Sequence, residues 1–156
     1  LRLDARVESA KLREGGAVAM RREGAETVWI IDEDHWPRAC LRAELIERGY
    51  DAIGFAGAEE ARAAVPTATT LGLPAIAVVD VGPGEPGGIE ELAPLLAEHG
   101  VALVGVGRAV GAGGEAEAHP PWRMLLHRPI TLGQIADVVD RLADARRPGV
   151  SHVGAR

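Results

Sequence analysis

The stretch "VWIIDEDHW", residues 28–36, runs the apolar residues Val28 to Ile31 straight into Asp32, Glu33 and Asp34. A short unbroken apolar run is the pattern of a strand buried on both faces, as in a parallel sheet. Neighbouring carboxylates at the end of such a strand repel one another and resist desolvation, so they call for a cation, a proton or water.

Outward from this stretch the chain alternates. "PRACLRAELIERGY" (37–50) brings Ala39, Leu41, Leu45 and Ile46 near one helical face and stops at Gly49. "DAIGFA" (51–56) reads as a second strand and "AEEARAAV" (58–65) as a short helix ending at Pro66. "AIAVVD" (75–80) is a third buried strand, closing on Asp80. "GIEELAPLLAEHG" (88–100) follows as a helix that Pro94 should bend or shorten. "VALVGV" (101–106) and "WRMLLH" (122–127) are the fourth and fifth strands, and "TLGQIADVVDRLADAR" (131–146) is a final helix with Thr131 as N-cap. Between the last two strands, "GRAVGAGGEAEAHPP" (107–121) is rich in glycine and proline and predicts at most a turn or two of helix, with high mobility.

Strands alternating with helices imply βαβ units and a flavodoxin-like, doubly wound (βα)5 domain, its five parallel strands in the order 2-1-3-4-5. The domain is expected over 27–145, with an N-terminal extension over 1–26, helical or disordered, and a flexible tail over 146–156. Met20 is a candidate natural start, and nothing in the chain resembles an output domain.

Composition narrows the class. With 156 residues, 47% of them hydrophobic, the chain can bury a core without staples. Its mean hydropathy is +0.03 and no apolar run reaches the length of a membrane span, so a cytoplasmic location is expected. Cys40 is the single cysteine, which excludes a disulfide framework and a cysteine metal cluster, and it is expected in the core. A net charge of −6 without a dense basic run argues against nucleic-acid binding. Trp29 and Trp36 are expected to pack in the core and at its rim, and Trp122 to be an exposed contact or packed. Asp34 is expected to be a solvated cap before the Pro37 helix. The five histidines show no ligand spacing.

In the 2-1-3-4-5 order the first and third strands are neighbours, so Asp32, Glu33 and Asp80 converge in one crevice beyond the strand ends. Such a set of carboxylates suits Mg²⁺, a hard cation that takes few protein oxygens and keeps waters or phosphate.

At these residues the chain resembles the receiver domains of two-component response regulators, over roughly 26–145. "IIDED" resembles the acidic pair after the first strand, "VVDVGPGEPGGIE" the segment around the phospho-accepting aspartate, and "LLHRPIT" the end of the fifth strand. The resemblance implies Asp80 as phospho-acceptor. It implies a weak Mg²⁺ site made by Asp32, Glu33, Asp80 and the backbone carbonyl of Gly82. It also implies a histidine kinase or phosphotransfer protein as donor, an output protein or domain as target, and a homodimer through the 108–145 face. No membrane partner is implied. The family's lysine is Arg128 here, followed by Pro129; its switch Ser/Thr is Gly107, and its fifth-strand aromatic is Leu125. Arginine is a planar fork and no neutral replacement for lysine, and glycine has no hydroxyl with which to follow a phosphate. The chain is therefore expected to be an atypical receiver, no enzyme beyond weak self-phosphorylation and self-dephosphorylation. The alternative is a pseudo-receiver that serves as an interaction module without phosphate. Asp32 and Asp34 also fit the Asp-x-Asp of haloacid-dehalogenase-like phosphohydrolases, but that chemistry needs a later lysine, and Lys11 is the only one.

Overall fold

A computed structural model describes residues 13–14, 17–18, 24–82, 88–108, 114–116 and 118–148. Where the sequence left helix or disorder open for 1–26, two-residue strands β1 (Arg13–Glu14) and β2 (Ala17–Val18) pair antiparallel, apart from the main sheet. The main elements then follow in order: β3 (Thr27–Ile31), α1 (His35–Glu47), β4 (Asp51–Phe55), α2 (Ala58–Leu71), β5 (Ile76–Asp80) and α3 (Ile89–Glu98). After these come β6 (Ala102–Arg108), β7 (Gly114–Ala116), β8 (Met124–Arg128) and α4 (Leu132–Arg146). Their sheet runs β4-β3-β5-β6-β8-β7. The parallel strands β4, β3, β5, β6 and β8 reproduce the flavodoxin-like order 2-1-3-4-5, and β7 adds an antiparallel edge beside β8.

The alternation of strand side chains sorts the core into two layers. Val28 and Ile30, Ile76 and Val78, Val104 and Val106, and Leu126 meet Leu41 and Leu45 of α1 and Ile135, Val138, Val139 and Leu142 of α4. Trp29, Ile31, Ala77, Val79 and Leu103 meet α2 and α3 on the other face. Trp29 and Phe55 stack edge to face there, their ring centroids 4.7 Å apart. Each fully buried Val, Leu or Ile contributes about 1.5–3 kcal/mol relative to exposure. Both faces of the sheet must therefore be covered.

Helix ends follow local chemistry. Thr131 caps α4 in a reciprocal box: its hydroxyl accepts the Gln134 N–H at 3.1 Å, and Gln134 Oε1 accepts the Thr131 N–H at 2.9 Å. Gly49, with φ +97°, supplies the left-handed turn after α1. Arg48 then ties α1 to α4, reaching Glu44 at 2.8 Å and Asp137 and Asp140 at 2.7 Å each. Tyr50 donates to Asp140 at 2.6 Å, and burial with this bond raises its hydroxyl pKa.

Several expectations need correction. α2 does not end at Pro66 but runs through it to Leu71. Burial of Val65 and packing of Ala68 continue past the missing N–H, and Thr69 donates to the Pro66 carbonyl at 2.7 Å. α3 likewise continues through Pro94. Cys40 is exposed, not core, because it lies about 100° round the helix from the buried Leu41. Trp36, one turn earlier, is 75% exposed rather than packed at the rim, and Ile46 is also exposed. Trp122, left open between an exposed contact and packing, is partly buried against the core.

The largest departure is between β6 and β8. The sequence allowed at most a turn or two of helix over 107–121; Gly114–Ala116 form the edge strand β7, and the expectation for 109–113 and 117 lies outside the described residues. On β6, Leu103 faces the α3 layer and strand alternation puts Gly105 and Gly107 on the same side. The indole of Trp122 and the side chain of Leu125 fill the space over Gly105, 3.2 Å and 2.8 Å from where a Cβ would stand.

Candidate functional site

β3 and β5 lie side by side, so their carboxyl ends deliver Asp32 and Asp80 to one pocket, which β8 completes with Arg128. The register carries this placement: Ile31 stands opposite Val79, and β6 links β5 to β8 by pairing Asp80 with Val106 and Arg108 with Arg128. Apolar residues of both strands and of α1 form the floor.

Asp32 is the single buried charged residue among those described, 8% exposed. Its Oδ1 accepts the Asp34 N–H at 2.9 Å. Burial raises its pKa above the usual carboxylate value; the Asp34 N–H opposes the rise, and the nearby Asp80 charge adds to it. Asp34 occupies the N-cap position of α1 with extended backbone, yet its side chain makes no cap bond. Its contribution there is the backbone N–H given to Asp32.

Asp80 is part-buried and Arg128 reaches it: Nη2 donates to Oδ1 at 3.1 Å. The other carboxylate oxygen, Oδ2, lies 3.4 Å from where a Cβ on Gly82 would stand, so the bare backbone of Gly82 passes close to it. Glu33 is exposed and does not join them. Among the described residues no group of three His, Cys, Asp or Glu side chains gathers to hold a metal. The donor set that could meet a cation is therefore Asp32, Asp80 and the Gly82 carbonyl, a match for Mg²⁺ only as a site completed largely by water or phosphate. Arg128 already supplies one positive charge to it. Pro129 follows at the exposed end of β8.

The structure adds two residues that the sequence did not single out. Arg38 donates to the Asp32 carbonyl, and to that of Glu33 at 3.3 Å, closing the loop after β3 from one side. Its stem crosses β4 at Gly54, where a Cβ would meet Arg38 Cγ at 3.0 Å. The signal was an arginine one turn into the helix after the acids, opposite a glycine in the neighbouring strand. The second is Val81. Its Cγ2 lies 3.1 Å and its carbonyl oxygen 3.4 Å from where a Cβ at Gly107 would stand. Any side chain at 107 would have to displace Val81.

No protein-family model and no curated protein matches this chain. Solved structures do. A response regulator receiver protein from Pseudomonas putida is 21% identical with a TM-score of 0.56, over 75% of this chain and 97% of that one. One from Burkholderia phymatum is 20% identical with a TM-score of 0.61, over 76% and 95%. The receiver domain of Francisella response regulator 1452 is 14% identical with a TM-score of 0.59, over 77% and 98%. The chain thus has the fold of response-regulator receiver domains. Among the described residues no helix is long and apolar enough to cross a membrane.

Proposed function

We propose that this chain is a signal-transduction receiver module that recognises its partners without a phosphorylation switch. The carrying observation is Val81 packed where a switch side chain at Gly107 would begin. A ligand moves a conformational equilibrium only through interactions that differ between the two states. In the receivers that this chain resembles, a hydroxyl on the fourth strand follows the phosphate. Here there is no hydroxyl, a Cβ at 107 would crowd Val81, and the described residues 114–116 that follow form a short strand. The module is no enzyme; its product is a bound partner.

A second reading concerns Asp80 alone, favoured by its place in one pocket with Asp32 and Arg128. An oxygen of Asp80 attacks the phosphorus of a donor, the donor's bond to phosphorus breaks, and the leaving group departs with that electron pair and gains a proton. Mg²⁺, held by Asp32, Asp80 and the Gly82 carbonyl, with Glu33 through water, would supply charge shielding for this step. Arg128 contacts the acceptor already and would orient a phosphoryl oxygen. The donor class is a phosphohistidine on a kinase or phosphotransfer protein, and the target is an output protein.

Incubation with Mg²⁺ and a small-molecule phosphodonor, followed by intact mass measurement, tests both readings. The expected gain is slow and partial, and Asp80→Asn abolishes it. A rapid, stoichiometric gain lost in Asp80→Asn would contradict the first reading, and a gain that survives the substitution would remove Asp80 as acceptor.

A further inference from the structure

A groove of about 500 Å³ opens at the amino ends of β6 and β8, the end of the sheet opposite Asp32 and Asp80. That volume is in the range of sites that take small organic ligands. Small residues, Gly100 and Ala145, and the buried Leu103 and Leu142 are among its lining. Its wall is the turn carrying Pro121 and Trp122, and backbone bonds hold that turn at both ends. The Trp122 N–H donates to the His119 carbonyl at 2.9 Å, and the Arg123 N–H to the Leu103 carbonyl at 2.8 Å.

Two guanidinium groups stand at the rim, Arg123 and Arg146. Arg48, Arg62, Arg128, Arg141 and Arg147 each reach a carboxylate. Among the described residues Arg123 and Arg146 reach none. Arg146 donates to the Gly100 carbonyl at 2.9 Å, which leaves most of its fork unused. In a chain of net charge −6, two cations without acidic partners beside one groove form a local field for an anion. The groove's lining mixes polar and apolar surface, and its apolar part, Pro121 and Trp122 above all, offers a place for an apolar body that an inorganic anion lacks.

We infer that this groove binds a small organic anion with an apolar body, an aryl or alkyl carboxylate, its carboxylate on Arg123 and Arg146 and its body against Pro121 and Trp122. The site is separate from the Asp80 pocket and does not depend on how that pocket is read. Titration of the whole chain with 4-phenylbutyrate, followed by backbone amide NMR, tests it against the uncharged amide of the same acid. Saturable shifts are expected at 100–103, 121–123 and 142–146, with the amide binding about fivefold more weakly. The double substitution Arg123→Gln, Arg146→Gln lies at the exposed rim and should erase the preference for the acid, with amide shifts outside 100–103, 121–123 and 142–146 keeping the fold's pattern. Equal affinity for acid and amide would overturn the assignment, as would shifts centred on Asp32 and Asp80, or no saturable shift at all.

Discussion

At the scale of single residues, Asp32 and Gly107 define what the pocket can do. Asp32 is buried and sits near another carboxylate, so its folded-state pKa lies above the unfolded 3.8. Between those two values the folded protein holds more protons than the unfolded one, so stability falls as pH rises through that window and stays reduced above it. Asp32→Asn keeps an oxygen for the Asp34 N–H and removes the charge. In metal-free buffer it should melt above the unsubstituted protein near neutral pH, with the difference vanishing below the unfolded pKa; thermal melts at a series of pH values check this. Gly107→Ser should not restore a switch. Its Cβ would meet Val81 Cγ2 at 3.1 Å, a contact that a small shift of the partly buried Val81 relieves, so a loss of about 1 kcal/mol or less is expected by urea denaturation. Asp32 and Asp80 were legible in the sequence because each closes an apolar strand, and strand ends converge in a parallel sheet; Arg128 was legible through the resemblance of "LLHRPIT" to the end of a receiver's fifth strand. Arg38 and Val81 were less so, since their roles depend on which side chain faces the glycine across from it.

At the scale of elements, the alternation of apolar runs and helical faces was enough to read five parallel strands and their helices. Capping chemistry at Thr131 and Gly49 was equally plain. The prolines misled: Pro66 looked like a helix end, but apolar contacts beyond it carried α2 on to Leu71. The region before β8 misled for a different reason. Glycine and proline enrichment speaks against helix without speaking for strand, and the missing bulk on β6 shows only when Gly105 and Gly107 are assigned to one face. In Gly105→Ala the added Cβ would meet Leu125 Cδ2, the movable end of its side chain, at 2.8 Å and the Trp122 indole at 3.2 Å, so the indole is expected to shift and become more exposed to a fluorescence quencher. An indole no more exposed than before would mean that it does not pack over β6.

At the scale of the whole molecule, the sheet carries an acidic pocket at one end, closed by Arg128 and Arg38, and an open groove flanked by arginines at the other. The α1–α4 layer is locked by Arg48 and Tyr50 to the Glu44, Asp137 and Asp140 carboxylates. Gly107 offers the pocket no side chain through which a phosphate could bias β6, and Val81 packs beside it. On the reading proposed above, the receiver fold serves as a surface for partners. The direct test is backbone amide NMR with Mg²⁺ and beryllofluoride, an aspartyl-phosphate mimic. Shifts confined to 32–34, 80–82 and 128 are predicted, with 102–106 and 132–146 unmoved; coupled shifts through β6 and α4, absent in Asp80→Asn, would show a working phosphorylation switch and contradict the account.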